Sequence, residues 1–271
     1  MLSLGLVAIP VGFLGSLVGL GGAAMLIPLL VLTGIPVKEA IASSMVVIIA
    51  TSAGSASSYV RQRITNIKVA MYLEMFTITG AIVGAIITTI INPVYLYFFF
   101  AAFLMTSFLR LNVSRDYSPP VRQDRVSRWL ELHGSYYDEA HHKIVEYKVN
   151  NALLGGAGMI VAGLAAGMLG IGAGAFKVTV HEQILKMPTK VSSTTSNFLI
   201  GMTALAGTSV YLFSGLFNLT LMAPMAIGAT IGAILGGRVL NKISSRILRI
   251  LFLVIVTALI GQMLYKGITA L

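Results

Sequence analysis

Apolar residues run along this chain in blocks rather than in strict alternation, and the blocks are long. Stretches near Ala40 to Val60, Ile67 to Ile91, Pro93 to Leu111, Val191 to Phe213, Leu219 to Leu240 and Ile247 to Tyr265 approach the roughly 17 to 25 residues of a membrane-spanning helix. They predict six transmembrane helices. Two further segments, Leu2 to Leu32 and Val149 to Lys186, are too long for one ordinary crossing. Each is interrupted by glycines, Gly19-Leu20-Gly21-Gly22 in the first and Gly170-Ile171-Gly172-Ala173-Gly174 in the second. Such interruptions predict a broken or re-entrant helix. The first segment is expected to belong to the mature fold rather than to a signal peptide, because no basic stretch precedes it and it has a counterpart deep in the chain.

That counterpart is part of a repeat. Sliding the chain by about 150 residues pairs Gly12 with Gly163, Gly19 with Gly170 and Gly21 with Gly172. After a one-residue shift, Pro36 pairs with Pro188, Lys38 with Lys190, Ser44 with Ser196, Thr51 with Thr203, Tyr59 with Tyr211 and Asn66 with Asn218. The register continues through Gly80 and Gly84 against Gly232 and Gly236, and identities in this order indicate duplication. The expected organisation is a first repeat over residues 1–112, a polar connector over 113–147 and a second repeat over 148–271.

Charge gives the direction of the halves. If each hinged segment counts as a full crossing, the halves are parallel and the basic residues split weakly between the two faces. If each hinged segment enters and returns on one side, each half has three crossings and the second half is inverted. One face then collects Arg61, Arg63, Lys68, Arg110, Arg115, Arg122, Arg125, Arg128, Lys143, Lys148, Lys186, Lys190, Arg238, Lys242, Arg246 and Arg249, while the other keeps Lys38 and Lys266. So lopsided a distribution marks the rich face as cytoplasmic and places both termini outside. The predicted class is an all-α integral membrane protein. It is a two-fold inverted repeat, each half a glycine-hinged re-entrant or broken helix plus three transmembrane helices, with seven or eight helical segments in total.

Composition agrees with that class. With 56% hydrophobic and 10% charged residues and a mean hydropathy of +0.89, the chain cannot face water all round as a monomer. The net charge of +10 would suggest nucleic acid in a soluble protein. Here the basic residues sit at helix ends, so lipid headgroups and topology account for them and no nucleic-acid partner is expected. Association into a homo-oligomer stays open. The absence of cysteine excludes disulfides, thiolate metal sites and cysteine nucleophiles.

In the connector, the alternation of Leu130, Leu132, Tyr136, Ile144, Tyr147 and Val149 around Asp138-Glu139-Ala140 predicts a small β-hairpin on the cytoplasmic side. His133, Asp138, Glu139, His141 and His142 match no tetrahedral metal spacing and read as a solvated turn. No metal or cofactor is expected.

Irregular backbone at membrane depth is tolerated only against protein or a watery cavity. The hinges Gly19, Gly21, Gly22 and Gly170, Gly172, Gly174 are therefore candidate substrate-binding elements. The helix restarts near Ala23 and Ala175 offer free amides and a positive dipole end to an anion. Beside them lie hydroxyl-rich helix starts, with Ser43 and Ser44 in one half and Thr194, Thr195, Ser196 and Asn197 in the other, which supply neutral donors. Lys177 replaces an apolar repeat equivalent, Leu26, and either joins the site or snorkels to the interface. Glu74, acidic inside a predicted span, is the candidate for proton coupling. Gly80, Gly84, Gly232 and Gly236 read as close helix packing, and Asn66 and Asn218 as helix N-caps.

The duplicated hinge, the Pro36-Val37-Lys38 and Pro188-Thr189-Lys190 steps before hydroxyl-rich helices, and the polar connector resemble the sulfite exporter TauE/SafE family from about Gly12 to Tyr265. The second hinge departs from that family's consecutive glycines, and Lys177 adds a charge. The resemblance implies a permease of the cytoplasmic membrane for a small sulfur-containing anion such as sulfite or an organosulfonate, with export as the expected direction. An anion channel of the same architecture and an uptake carrier, for thiosulfate or another organic anion, are the alternatives. An enzyme is not expected, since no His-Glu-x-x-His motif or pair of intramembrane carboxylates is present.

Overall fold

The computed structural model describes residues 2–18, 23–111 and 123–269. The first half contains α1 (Leu2–Val18), α2 (Ala23–Leu32), α3 (Val37–Arg61), α4 (Ile67–Ile90) and α5 (Pro93–Leu111). The connector contributes α6 (Arg125–Trp129) and the strands β1 (His133–Asp138) and β2 (Lys143–Lys148). The second half contains α7 (Ala152–Leu169), α8 (Gly174–Thr179), α9 (Thr189–Leu212), α10 (Leu219–Val239) and α11 (Ser245–Thr269). A π-helical turn, Val180–Ile184, prolongs α8. Among the described residues each half thus has five helices, more than the seven or eight segments expected for the whole chain; in the second half the hinge divides its segment into α7 and α8.

Among the described residues, four of these helices are long and apolar enough to cross a membrane: α3, α4, α7 and α10. Their outward faces carry large apolar side chains, among them Met75, Ile90, Leu153 and Ile227, as a lipid-facing surface requires. The protein is a mainly helical membrane protein. α9 spans 24 residues, but its first two turns carry Ser192, Ser193, Thr194, Thr195, Ser196 and Asn197, all buried. Its polarity points into the protein.

The two halves interlock. α1 packs on α10 and α7 on α4, so the first helix of each half lies against the fourth helix of the other. Glycines make both contacts possible. A Cβ at Gly80 or Gly84 would stand 2.2 or 2.1 Å from the carbonyl oxygens of Ile160 and Leu164. At Gly232 it would stand 1.9 Å from Ile9 O, and at Gly236 2.0 Å from Ser16 Oγ. Any side chain at these four positions would push the helices apart, which is the small-residue packing expected of them.

Helix directions follow from the same contacts. Gly80 lies against Ile160 and Gly84 against Leu164, so α4 and α7 run parallel. Gly228 meets Gly5 and Gly232 meets Ile9, so α1 and α10 do likewise. By contrast, Met45 meets Gly207 while Ser52 meets Gly201, so the equivalent helices α3 and α9 run antiparallel. Two tyrosines repeat one contact across the halves: Tyr59 donates to Ser16 O at 2.9 Å and Tyr211 to Gly167 O at 2.6 Å. Each occupies a late carbonyl of a hinged helix.

The expected hairpin in the connector is present, with antiparallel strands in register from His133 opposite Lys148 to Asp138 opposite Lys143. It is fastened to both halves. Asn66 Nδ2, at the α3–α4 turn, donates to Tyr147 Oη at 3.0 Å and His133 O at 3.3 Å, and Lys68 pairs with Glu131 at 2.7 Å. On the other side Lys190 Nζ, fully buried at the start of α9, reaches Asp138 Oδ1 at 2.6 Å, and His141 Nδ1 lies 2.9 Å from Oδ2. Burial alone pushes the Asp138 carboxyl up. The hydrogen bonds from Lys190 and His141 together with the lysine charge outweigh it and hold the group below the usual carboxylate range. Asp138 and His141 thus serve an ion-pair cluster against α9 rather than an isolated solvated turn.

Asn66 caps α4 as expected, its side chain accepting from Val69 N at 3.0 Å. Asn218 stands at the equivalent position of α10 but makes no capping bond. Its Nδ2 donates instead to Glu39 Oε1 at 2.8 Å, because the first turn of α3 brings a carboxylate within reach.

Candidate functional site

The second hinge is a break between α7 and α8 built from left-handed residues. Gly170, Gly172 and Ala173 have φ of 63°, 66° and 49°, a conformation that costs side-chain-bearing residues strain and glycine little. The surroundings are tight as well. A Cβ at Gly170 would lie 2.7 Å from Ile41 Cγ2, and one at Gly172 2.5 Å from Ile200 Cγ2. The hinge is therefore wedged between α3 and α9, two residues from Ser43 on one side. Ser196 Oγ faces Gly174 O at 3.4 Å on the other.

After this break the chain carries a charge into the protein. Lys177 is 0% exposed, so it does not snorkel to an interface. Its Nζ donates to Thr203 Oγ1 at 2.5 Å, and Thr203 Oγ1 in turn lies 2.8 Å from Glu74 Oε1. Thr77 Oγ1 stands 3.3 Å from Glu74 Oε2. Glu74 is 2% exposed. It lies only seven residues into α4, about 10 Å at 1.5 Å per residue, yet it points inward rather than to headgroups. Lys177, Thr203 and Glu74 thus form a buried chain of cation, hydroxyl and carboxylate across α8, α9 and α4.

Lys177 has three N–H donors, and Thr203 is the hydrogen-bond partner it has among the described residues. Other polar atoms are buried and unmatched among the described residues: Ser43 Oγ and Ser44 Oγ on α3, Asn197 Oδ1 on α9 and His181 Nε2. His181 lies one turn beyond Lys177, in the π-helical segment, with Nδ1 3.3 Å from Ser192 O. That contact assigns the proton to Nδ1 and leaves Nε2 an acceptor. Buried polar groups without partners are uncommon in folded proteins. π-Helical turns concentrate where a helix has been adapted to a function.

The remaining candidates divide. Thr194 Oγ1 donates to carbonyls of its own helix, Lys190 O at 3.0 Å and Val191 O at 3.1 Å. Thr195 Oγ1 accepts from Asn66 N at 3.2 Å, tying α9 to the α3–α4 turn. Asn197 Nδ2 donates to Ser16 O at 2.7 Å, near the end of α1. Gly19, Gly21 and Gly22 lie outside the described residues, and of Ala23 only its place at the start of α2 is described.

A broken, buried, charged segment inside a duplicated helical membrane protein is the setting of a permease, and comparison with known proteins agrees. The model of the family described as "Sulfite exporter TauE/SafE" matches residues 4–263. The chain belongs to the sulfite exporter TauE/SafE family. Two curated relatives, both from Bacillus subtilis (strain 168), are similar along nearly their whole length. The probable membrane transporter protein YunE is 26% identical over 276 residues, covering 98% of this chain and 96% of the relative. The probable membrane transporter protein YdhB is 24% identical over 249 residues, covering 90% and 92%. No solved structure matches the chain. This TauE/SafE protein is accordingly a membrane transporter.

Thr203, at the centre of the charged cluster, and His181, one turn beyond Lys177, carry little signal in the sequence. Thr203 was visible as an identity with Thr51 across the repeat, yet it read as a marker of duplication. His181 gave no signal, because a lone histidine in an apolar segment is more often structural.

Proposed function

We propose that this TauE/SafE protein carries a small sulfur-containing oxyanion, such as sulfite or an organosulfonate, out across the cytoplasmic membrane by alternating access. The observation that carries the reading is Lys177, a fully buried cation at the second hinge with two N–H donors that no described residue takes up. An oxyanion satisfies such donors and the charge together. Ser43, Ser44, Ser196 and Asn197 flank the hinges and complete the coordination with neutral groups. Thr194 and Thr195 hold α9 in place.

An inverted repeat supplies the motion. Support comes from helix direction: two equivalent helices that meet antiparallel, as α3 and α9 do, are related by an axis lying across them, in the membrane plane. Sidedness has its own support. The connector, the α3–α4 turn and the start of α9 are bonded to one another, and they carry Lys143, Lys148, Lys68 and Lys190. Lys38, of the basic-poor face, reaches Thr89 O at the far end of α4.

Function is tested by counterflow of labelled sulfite into proteoliposomes preloaded with unlabelled sulfite, thiosulfate or methanesulfonate. Transient accumulation with one preload is expected; its absence with all three, from folded protein, overturns the carrier. Topology is tested separately, since the natural chain has no cysteine to interfere. Arg63→Cys and Ser214→Cys, at exposed turns equivalent in the two halves, are expected to react with an impermeant thiol reagent from opposite sides of the membrane. Reaction from the same side would leave the halves parallel.

A further inference from the structure

Glu74, Thr203 and Lys177 are more than a place for an anion to land. With Lys177 charged and Glu74 ionised, the lysine and the carboxylate balance and the site is neutral. A monovalent oxyanion placed on the two unspent N–H groups of Lys177 would leave one negative charge uncompensated inside a membrane protein, where unpaired charge is costly. Protonating Glu74 removes the excess. Cation, anion and neutral carboxyl then sum to zero, as the empty pair does.

The connecting hydroxyl is built to follow that change. Thr203 Oγ1 has one proton and two acceptors at equal reach, Glu74 Oε1 at 2.8 Å and Leu199 O at 2.8 Å. With Glu74 ionised, the hydroxyl donates to the carboxylate and a lone pair receives Lys177. With Glu74 protonated, the carboxyl donates to the threonine oxygen and the hydroxyl turns to Leu199 O. The exchange needs rotation about one bond and no movement of a helix. It transfers the state of Glu74 to the group that holds Lys177.

No other charge competes for this role among the described neighbours. Thr77 on α4 and Thr203 on α9 face the carboxylate as neutral hydroxyls, and Lys177 on α8 is the charge that acts on it, with His181 one turn further along. α7, packed along α4, has no ionisable side chain. The fold does not need the pair either. Its repeat equivalents are Leu26 on α2, Thr51 on α3 and Ala226 on α10, so the equivalent packing of α3 on α10 carries a threonine without either charge. An opposite pair of charges placed at one of two equivalent contacts between the halves, and kept buried there, points to use rather than to packing.

We propose that Glu74 is a proton-binding site that competes with the transported anion for Lys177 through Thr203, so that each anion moves together with a proton. The inference rests on the carrier reading above and adds its coupling ion. The probe is methanesulfonate, which stays a monoanion across the neutral range, so that a proton moved with it is the protein's and not the substrate's. Proteoliposomes holding the full chain and an entrapped pH dye are given a methanesulfonate gradient. Wild-type protein is expected to move protons in the direction of the anion, and an imposed pH gradient is expected to accumulate methanesulfonate against its own gradient. Glu74→Gln is expected to lose both effects and to exchange methanesulfonate at a rate that no longer varies with pH.

Exchange by the wild type without proton movement overturns the inference and leaves the carrier standing. Proton movement by Glu74→Gln at the wild-type ratio to anion also overturns it, by putting the proton elsewhere. If methanesulfonate, thiosulfate and sulfite all fail to exchange in the folded wild type, the carrier reading falls and this inference with it. The wild-type dye measurement needs no variant, so misfolding of Glu74→Gln would not spare the proposal.

Discussion

Lys177→Met is expected to abolish saturable anion exchange and to lower the melting temperature in detergent at the same time. Methionine matches the lysine stem in length and apolar character but removes the ammonium. Two charge-assisted hydrogen bonds to the anion are lost, worth about 1.5 to 3 kcal/mol each. Binding should therefore weaken by at least about a hundredfold. Stability falls for a separate reason. Glu74 keeps its place, 2% exposed and facing Thr203, now without its cation. Removing one partner of a buried pair costs about 3 to 5 kcal/mol in typical cases.

The two effects come apart in the double variant. Glu74→Gln combined with Lys177→Met removes both charges and leaves an amide able to accept from Thr203. Its melting temperature is expected to recover most of the loss, since a buried pair exchanged for neutral groups of similar volume is often tolerated. Its exchange activity should stay absent. Recovery of transport along with stability would mean that Lys177 matters only for folding, and retained saturable exchange in Lys177→Met alone would remove the lysine from the site.

Much of this molecule was legible because a membrane protein writes its architecture in long apolar blocks and its history in a repeat. The pairing of Gly80 and Gly84 with Gly232 and Gly236 pointed to close packing, and the packing partners are carbonyls of α7 and α1 and the Ser16 hydroxyl. The connector hairpin followed from alternation in a polar stretch. What the residues could not give was which half pairs with which. The contact of α1 with α10, and of α7 with α4, joins residues more than two hundred and about eighty positions apart. No local pattern reports such a contact. The cluster around Lys177 was half legible for the same reason. Glu74 and Lys177 stand out as charges in apolar surroundings, but no local pattern links them, and only the packing of α4, α8 and α9 brings them to one hydroxyl. Asn218 shows the limit from the other side: the sequence is that of a cap, and a carboxylate from α3 claims its side chain.

Gly172→Val is expected to block transport in a protein that still inserts, because two independent penalties meet at that residue. Its φ of 66° lies where a β-branched residue is a strong outlier, and holding an ordinary residue in such a conformation costs about 1 to 3 kcal/mol. The Cβ would also stand 2.5 Å from Ile200 Cγ2, closer than any real contact, so either α9 or the hinge has to shift. A shift there moves the backbone that positions Lys177, five residues on. Gly172→Ala with Ile200→Ala separates the causes. The smaller pair relieves the clash and keeps the strain, so partial exchange is expected from it, with none from Gly172→Val and less from Gly172→Ala alone. Gly84→Val is the comparison at a packing glycine, where a Cβ would stand 2.1 Å from Leu164 O. It should lower the melting temperature strongly because α4 and α7 must part along their length. The measurement is methanesulfonate exchange per folded molecule, with thermal stability read on the same samples. Wild-type exchange in Gly172→Val would show that the hinge geometry is dispensable, and that the glycine is retained for packing alone.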